Sequence, residues 1–175
     1  GLESGAFLDV GCGPGWLPIH VASGRPDLDA VGIDTSPSMI ALAQRNRGPR
    51  LNVTFRKMDG ANIVYPDETF HAVAAIQSAH HWVDPASILL EVHRVLRTGH
   101  SFYIYEADAD ASEVPRGWIH RRGPWPPDRY VLKTWRRYGM NSEAWNELKS
   151  HVRSSPFGGG EDGRHGFYRR LVLTR

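Results

Sequence analysis

Leu8-Asp9-Val10-Gly11-Cys12-Gly13-Pro14-Gly15 is the stretch on which the fold turns. The run Phe7-Leu8-Asp9-Val10 reads as a buried strand, and the glycines after it let the backbone turn tightly and approach a ligand closely. A helix is expected from about Gly15 to Ser23-Gly24. Pro18 falls in its first turn, where a missing N–H costs little. A strand, a glycine turn and a helix N-terminus in that order point backbone amides at whatever binds there.

Working outward, the first half alternates short apolar runs with helical patterns, which is the signature of βαβ units and a parallel sheet. Ala30 to Asp34 reads as a second strand. Ser36-Pro37 then offers an N-cap and an N1 proline, and Gly48-Pro49 a stop. Leu51 to Met58 is expected as a third strand and His71 to Gln77 as a fourth. Asp84-Pro85 opens a helix whose Ile88, Leu89, Val92, Val95 and Leu96 form one apolar stripe. Arg97-Thr98-Gly99 should close it, with Ser101 to Tyr105 as a fifth strand. Beyond the polar, Pro- and Trp-rich residues 107–127, a helix is expected over 128–138 with Val131, Leu132, Trp135 and Tyr138 facing inward. A second should run from Asn141 to about Arg153, burying Trp145, Leu148 and Val152. Phe167 to Thr174 closes the sheet as an antiparallel strand, and the glycine-rich stretch Phe157 to Gly166 gives weak strand signals. The class is therefore α/β: one Rossmann-like, doubly wound domain over residues 1–175, with a mostly parallel sheet.

A length of 175 residues with 41% apolar and 23% charged side chains fits one soluble core. No apolar run approaches the ~20 residues needed to cross a bilayer, so no membrane partner is expected. Residues Gly1 to Gly5 carry no basic or apolar leader pattern. The single cysteine, Cys12, suits a reducing compartment, and a cytoplasmic location is expected. Charge is uneven. Arg116, Arg121, Arg122, Arg129, Lys133, Arg136 and Arg137 face only Asp128, giving residues 116–137 a charge of +6 within a chain of +2.

Asp34 ends the second strand 19 residues after Gly15, where a carboxylate can accept hydrogen bonds from a ribose diol. With the glycine loop it implies an adenosine-bearing cofactor. A dinucleotide fingerprint is G-x-G-x-x-G, whereas the spacing here is G-x-G-x-G, with Trp16 where a third dinucleotide glycine would stand. That disfavours a nicotinamide-dependent oxidoreductase.

Over about residues 6–106 the chain resembles the class I methyltransferases of the type 11, ubiquinone-biosynthesis-like family, which use S-adenosylmethionine (SAM). The resemblance implies that Asp9, Gly11, Cys12, Gly13 and Gly15 form the loop at the methionine end of SAM. It implies that Asp34 holds the ribose, that Thr35 and Met39 flank the adenine, and that Asp59, with Gly60, meets the adenine amino group. Gln77, Ser78 and His81 would face the methionine end and the reacting methyl. Arg94-Val95-Leu96-Arg97-Thr98-Gly99-His100 resembles the family's R-V-L-K-P-G-G turn, altered at three positions. Members of the family place one or two helices before the first strand, whereas the motif here begins at Leu8.

The expected activity is methyl transfer from SAM, and a base is needed only where the acceptor must lose a proton. His80, His81, Glu106 and Asp108 lie at carboxyl ends of strands four and five, where open α/β sheets bind substrate, and His80 and His81 are the candidate bases. Asp84 reads as a helix N-cap. Adjacent histidines on an extended segment point oppositely, so no metal site is expected. Residues 107–140 are expected to cover the substrate as an insertion or lid. A small-molecule substrate is favoured. RNA is the alternative, because Trp118, Trp125, Tyr130, Trp135 and Tyr138 interleave with the basic residues of 116–137 and aromatic rings stack on bases. A SAM-binding protein without catalysis is the other alternative.

Overall fold

A computed structural model describes residues 5–112 and 128–175. The first part runs β1 (Gly5–Val10), α1 (Trp16–Gly24), β2 (Leu28–Asp34), α2 (Pro37–Arg47), β3 (Val53–Lys57), β4 (Phe70–Ile76), α3 (Pro85–Val95) and β5 (Leu96–Ala107). After these come α4 (Asp128–Tyr138), α5 (Ser142–Ser154), β6 (Glu161–His165) and β7 (Tyr168–Thr174). One sheet has the order β3-β2-β1-β4-β5-β7-β6. Strands β1 to β5 are mutually parallel, while β7 runs antiparallel to β5 and β6 antiparallel to β7. This is the doubly wound, mostly parallel α/β architecture that the sequence implies, and the final strand lies antiparallel beside β5.

Strand residues alternate between two cores. Leu8, Val10, Ile33, Val73 and Phe102 share one with the α3 stripe Ile88, Leu89, Val92 and Val95 and with Trp145, Leu148 and Val152 of α5. Phe7, Ala30, Val53 and Phe55 pack with Ile19 and Ala22 of α1 and Ile40 and Ala43 of α2. Burying one such large side chain contributes roughly 1.5–3 kcal/mol. The helix starts follow the capping rules. Ser36, Asp84 and Asn141 each accept a backbone N–H from the residue three positions on, and Pro37 and Pro85 occupy the first helical turn.

The structure corrects several boundaries. β3 is shorter than Leu51 to Met58, because Leu51 is 93% exposed and pairs with nothing in the sheet. Arg97-Thr98-Gly99 do not close α3. The helix ends at Val95, and these residues already belong to β5, where a register irregularity against β4 absorbs them and Gly99 turns at φ +80°. Tyr138 does not face inward but is 53% exposed, with the Arg137 guanidinium 5.3 Å from its ring. Trp135 does pack inward, stacked on Phe167 at 3.9 Å. Within the glycine-rich stretch, Glu161 to His165 is an edge strand whose alternation is hidden because all five positions are polar or glycine. Trp118 and Trp125, with Arg116, Arg121 and Arg122, lie outside the described residues, as do the side chains of Arg129, Tyr130 and Val131.

Candidate cofactor site

The parallel strand order changes direction between β1 and β4, where loops leave neighbouring strand ends on opposite sides and open a crevice. A cavity of about 690 Å³ lies there. After β1 it is lined by Gly11 and Gly13, and after β2 by Asp34, Thr35 and Met39. Asp59 and Gly60 follow β3, and Gln77, Ser78 and His81 follow β4. Four loops, distant in sequence, thus meet over the carboxyl ends of four adjacent strands.

The glycine loop is locked by the strand beside it. Gly11 and Cys12 both donate their N–H to the carbonyl of Ile33, at 2.8 and 2.9 Å. Gly11 sits at φ +77°, and a Cβ there would stand 2.5 Å from that of Ser78. Only glycine lets the first loop and the fourth approach this closely. Ser78 completes the latch by donating to the carbonyl of Val10 at 2.7 Å. Asp34 organises the second loop: its two oxygens accept the N–H groups of Gly13 at 2.9 Å and Ser36 at 2.8 Å. Asp59 accepts the N–H of Ala61 at 2.9 Å, so it braces its own turn as well as facing the cavity.

Gln77 is a strained residue of the site. It takes φ +55°, a left-handed conformation that costs a non-glycine residue on the order of 1–3 kcal/mol. Its N–H donates to Tyr105 of β5 at 2.8 Å, which holds it there. Its side-chain Nε2 is buried without a hydrogen-bond partner among the described residues, leaving a donor toward the cavity.

Not every expected residue reaches the cavity. Asp9, Cys12 and Gly15 are absent from its walls. Asp9 is buried beneath the loop, where burial, and then the Asp34 carboxylate, push it up to about 8. Cys12 is a packing residue, its sulfur against Gly32, and burial pushes its thiol well above the ordinary range. Gly15, at φ +82°, is where α1 meets the sheet: a Cβ would lie 2.5 Å from the Phe55 ring. Close helix–strand packing is the task of the third glycine in dinucleotide folds, and here it falls one residue earlier. Trp16 is correspondingly 63% exposed and off the cavity walls.

The residues following β4 and β5 also need correction. His80 and His81 lie in a tight 3₁₀ turn, Ala79–His81, and not on an extended segment. Their rings therefore touch, with centroids 4.0 Å apart, instead of pointing oppositely. His81 lines the cavity, and His80 is not among its walls. Asp108 is not open to a substrate. It is 1% exposed and held by Arg169 at 2.7 Å and Arg164 at 2.6 Å. Asp84 caps α3 by accepting from the Ser87 N–H at 3.1 Å, and the Ser87 hydroxyl holds its carboxyl below the usual range. Among the described residues no three His, Cys, Asp or Glu side chains are grouped to hold a metal ion.

Sequence reasoning missed the apolar part of the lining, which includes Val10, Met58, Trp82 and Ile88. Ile88 read as one more core position of α3, and nothing in periodicity distinguishes its end of the stripe. Among the described residues the polar lining is one-sided: Asp34, Asp59 and Asp84 contribute carboxylates, and no described Lys or Arg lines the cavity.

Residues 8–104 match the family described as methyltransferase domain. The chain belongs to that family. It is 34% identical over 145 residues to ajmaline N-methyltransferase of Rauvolfia serpentina, covering 79% of this chain and 46% of that protein. It is 32% identical over 106 residues to demethylmenaquinone methyltransferase of Deinococcus radiodurans, covering 60% and 44%. The chain thus spans about half the length of the curated relatives it matches, or less. A Methanococcus maripaludis structure, described as a SAM-dependent methyltransferase, superposes with a TM-score of 0.74 at 19% identity, covering 99% of this chain and 78% of that one. At that identity the likeness shows the fold. The domain is a class I, SAM-type methyltransferase domain.

Proposed function

We propose that the domain binds SAM in the cavity over β1 and β4 and transfers its methyl group to a small-molecule acceptor. The observation that carries this is the charge of the cavity: among the described residues a glycine loop faces three carboxylates and no Lys or Arg. A pyrophosphate there would meet uncompensated repulsion, whereas a sulfonium and an ammonium would be attracted. In this proposal Asp34 accepts from the ribose hydroxyls and Asp59 from the adenine amino group, with Thr35 and Met39 against the ring. Gly11, Gly13, Gln77 and Ser78 surround the methionine end, and Asp9 lies buried beneath the loop. When bound, SAM supplies an electrophilic methyl for direct displacement. The chain's own part is alignment and the exclusion of water, which Trp82 and Ile88 serve on the apolar side.

Residues 107–140 are proposed as the substrate-side cover. Their described parts are anchored beside the end of β5: the Met140 N–H donates to the Ala107 carbonyl at 2.9 Å, and Trp135 rests on Phe167. The two curated relatives are named for ajmaline and demethylmenaquinone, both small organic molecules, which supports the same acceptor class here. No helix among the described residues is long and apolar enough to cross a membrane. The single cysteine, buried and free, fits a reducing cytoplasm.

RNA is the second reading, favoured by Lys133, Arg136 and Arg137, exposed on α4 around the exposed Tyr138. Methyl-labelled SAM incubated with the protein and a cell extract separates the two. Label in the small-molecule fraction supports the first. Label in RNA, with affinity falling by about 0.7 per phosphate contact in log–log salt slope, supports the second.

A further inference from the structure

The two edges of the sheet differ. At one, β3 carries Val53, Thr54, Phe55, Arg56 and Lys57, with both of its charges positive. At the other, β6 reads Glu161-Asp162-Gly163-Arg164-His165, and among the described residues no strand lies beyond it. Its four side chains are all exposed. An unpaired edge presents a row of N–H and C=O groups to any strand that fits it. The hairpin decides which groups these are. Gly166-Phe167 is a two-residue connection, and His165 pairs with Tyr168 directly before it. Such a turn closes on a hydrogen-bonded pair, and along an antiparallel ladder these alternate with non-hydrogen-bonded pairs. Residues 161, 163 and 165 therefore turn their backbone groups to β7, and Asp162 and Arg164 turn theirs outward.

The strand is complementary to its own reverse. Centred on Gly163, an antiparallel second copy sets Asp162 opposite Arg164 and Glu161 opposite His165, and a two-fold axis repeats each pair. Opposite charges directly across a ladder stabilise it, and like charges destabilise it. The outward-facing Asp162 and Arg164 would exchange both of their backbone bonds across the axis. Gly163 meets itself on the axis, where a Cβ would find only the Arg170 guanidinium, at 3.6 Å. On the α5 side Lys149 holds Asp162 at 2.7 Å, and Arg164 reaches Asp108 at 2.6 Å. Arg164 is still 62% exposed and Asp162 41%, so each keeps an open side for the other. The same centring of β3 opposes Thr54 to Arg56 and Val53 to Lys57, which neutralises nothing.

We propose that β6 is a self-docking edge: two copies of the chain pair through it, antiparallel and centred on Gly163, so that one seven-stranded sheet continues into the other. An edge guarded against pairing carries charges that repel a copy, as lysines do, whereas here the signs reverse about a glycine. A five-residue ladder is small beside a standard interface, so the pairing is reversible. No residue of β6 lines the cofactor cavity, which makes the docking edge a separate surface.

Cross-linking of the full chain tests the register. Gly163→Cys is expected to give a disulfide-linked dimer on mild oxidation, because residues opposed at a non-hydrogen-bonded pair lie about 4.5 Å apart at Cα, within disulfide reach. In Glu161→Cys the two introduced thiols would be offset along the strands by about 13 Å and stay unlinked. Cys12 is buried and does not compete. Sedimentation equilibrium then measures the pairing. Arg164→Pro removes an N–H that β7 does not use, and should raise the dimer dissociation constant at least about tenfold. Arg164→Glu and Asp162→Arg should each fail to self-associate, since each sets like charges opposite one another, and the two should pair when mixed. Misfolded variants could not give that restored pairing. The proposal is overturned by a wild-type chain that stays monomeric as concentration rises, or by cross-linking no greater in Gly163→Cys than in Glu161→Cys. An Arg164→Pro dimer as tight as the wild type, or a mixture no more associated than its components, overturns it as well.

Discussion

From β1 to β5 the sheet is held by apolar side chains on both faces, and the loops at its carboxyl ends are fastened by backbone hydrogen bonds and by glycines that admit close approach. Beyond α4 the attachment is different. Asp108 at the end of β5 receives Arg169 from β7 and Arg164 from β6, and Asp110 receives Arg169 and both the N–H and the hydroxyl of Ser142 at the start of α5. Lys149 and the Trp145 indole of α5 then meet Asp162 of β6 at 2.7 and 3.1 Å. The first region spends its polar groups on a cavity, the second on docking α5 and the β6–β7 hairpin to the sheet edge. The difference shows which carboxylates at strand ends are available to a ligand and which are structural.

Substitutions at the two places should separate accordingly. Arg169→Met leaves the exposed Arg164 as the remaining cation at the buried Asp108 among the described residues, and losing one partner of a buried pair costs about 3–5 kcal/mol. Urea unfolding measures it, and a cost below about 1 kcal/mol would break the idea that charge docks this region. Gly15→Ala combines a left-handed backbone with a Cβ 2.5 Å from Phe55 and 2.9 Å from Ala43, and should cost about 2–4 kcal/mol. Thermal unfolding without cofactor reads that directly.

Asp9→Asn tests the cavity region through pH. Between the ordinary 3.8 and about 8 the folded protein keeps a proton that the unfolded chain has lost. Wild-type stability should therefore fall as pH rises through that window, by up to about 1.4 kcal/mol per pH unit from this group, and the slope should vanish in the variant. Equal pH slopes in the two proteins would contradict a protonated Asp9. The smallest effect is expected at Gly158→Ala, where φ is +68° but nothing lies within 4 Å of a new Cβ, costing about 1 kcal/mol.

The same division separates what was legible in the sequence from what was not. Glycine spacing, period-2 and period-3.6 patterns and the caps at Ser36, Asp84 and Asn141 act locally, so the strands and helices could be placed from neighbours in sequence, and of the thirteen cofactor residues that the family resemblance implies ten line the cavity. Three loop residues do not. Asp9, Cys12 and Gly15 have motif positions, but whether a side chain faces the ligand or the core is decided by Phe55 and Gly32, far along the chain. The relative orientation of the two histidines was misjudged for the same reason: the turn that brings His80 against His81 is held by Glu106, 26 residues beyond His80. The arginine cluster around Asp108 spans 61 residues, and no local pattern announces it.

The central claim is that the acid-lined, glycine-floored cavity takes SAM and not a pyrophosphate cofactor. Isothermal calorimetry of the full chain with SAM, S-adenosylhomocysteine and NAD tests it most directly. Heats are expected for the first two and none for NAD. Asp34→Ala should weaken SAM at least about tenfold while the protein stays folded, since a hydrogen bond to a charged group contributes about 1.5–3 kcal/mol. NAD binding without a response to SAM, or a folded Asp34→Ala that binds SAM as the wild type does, would contradict it.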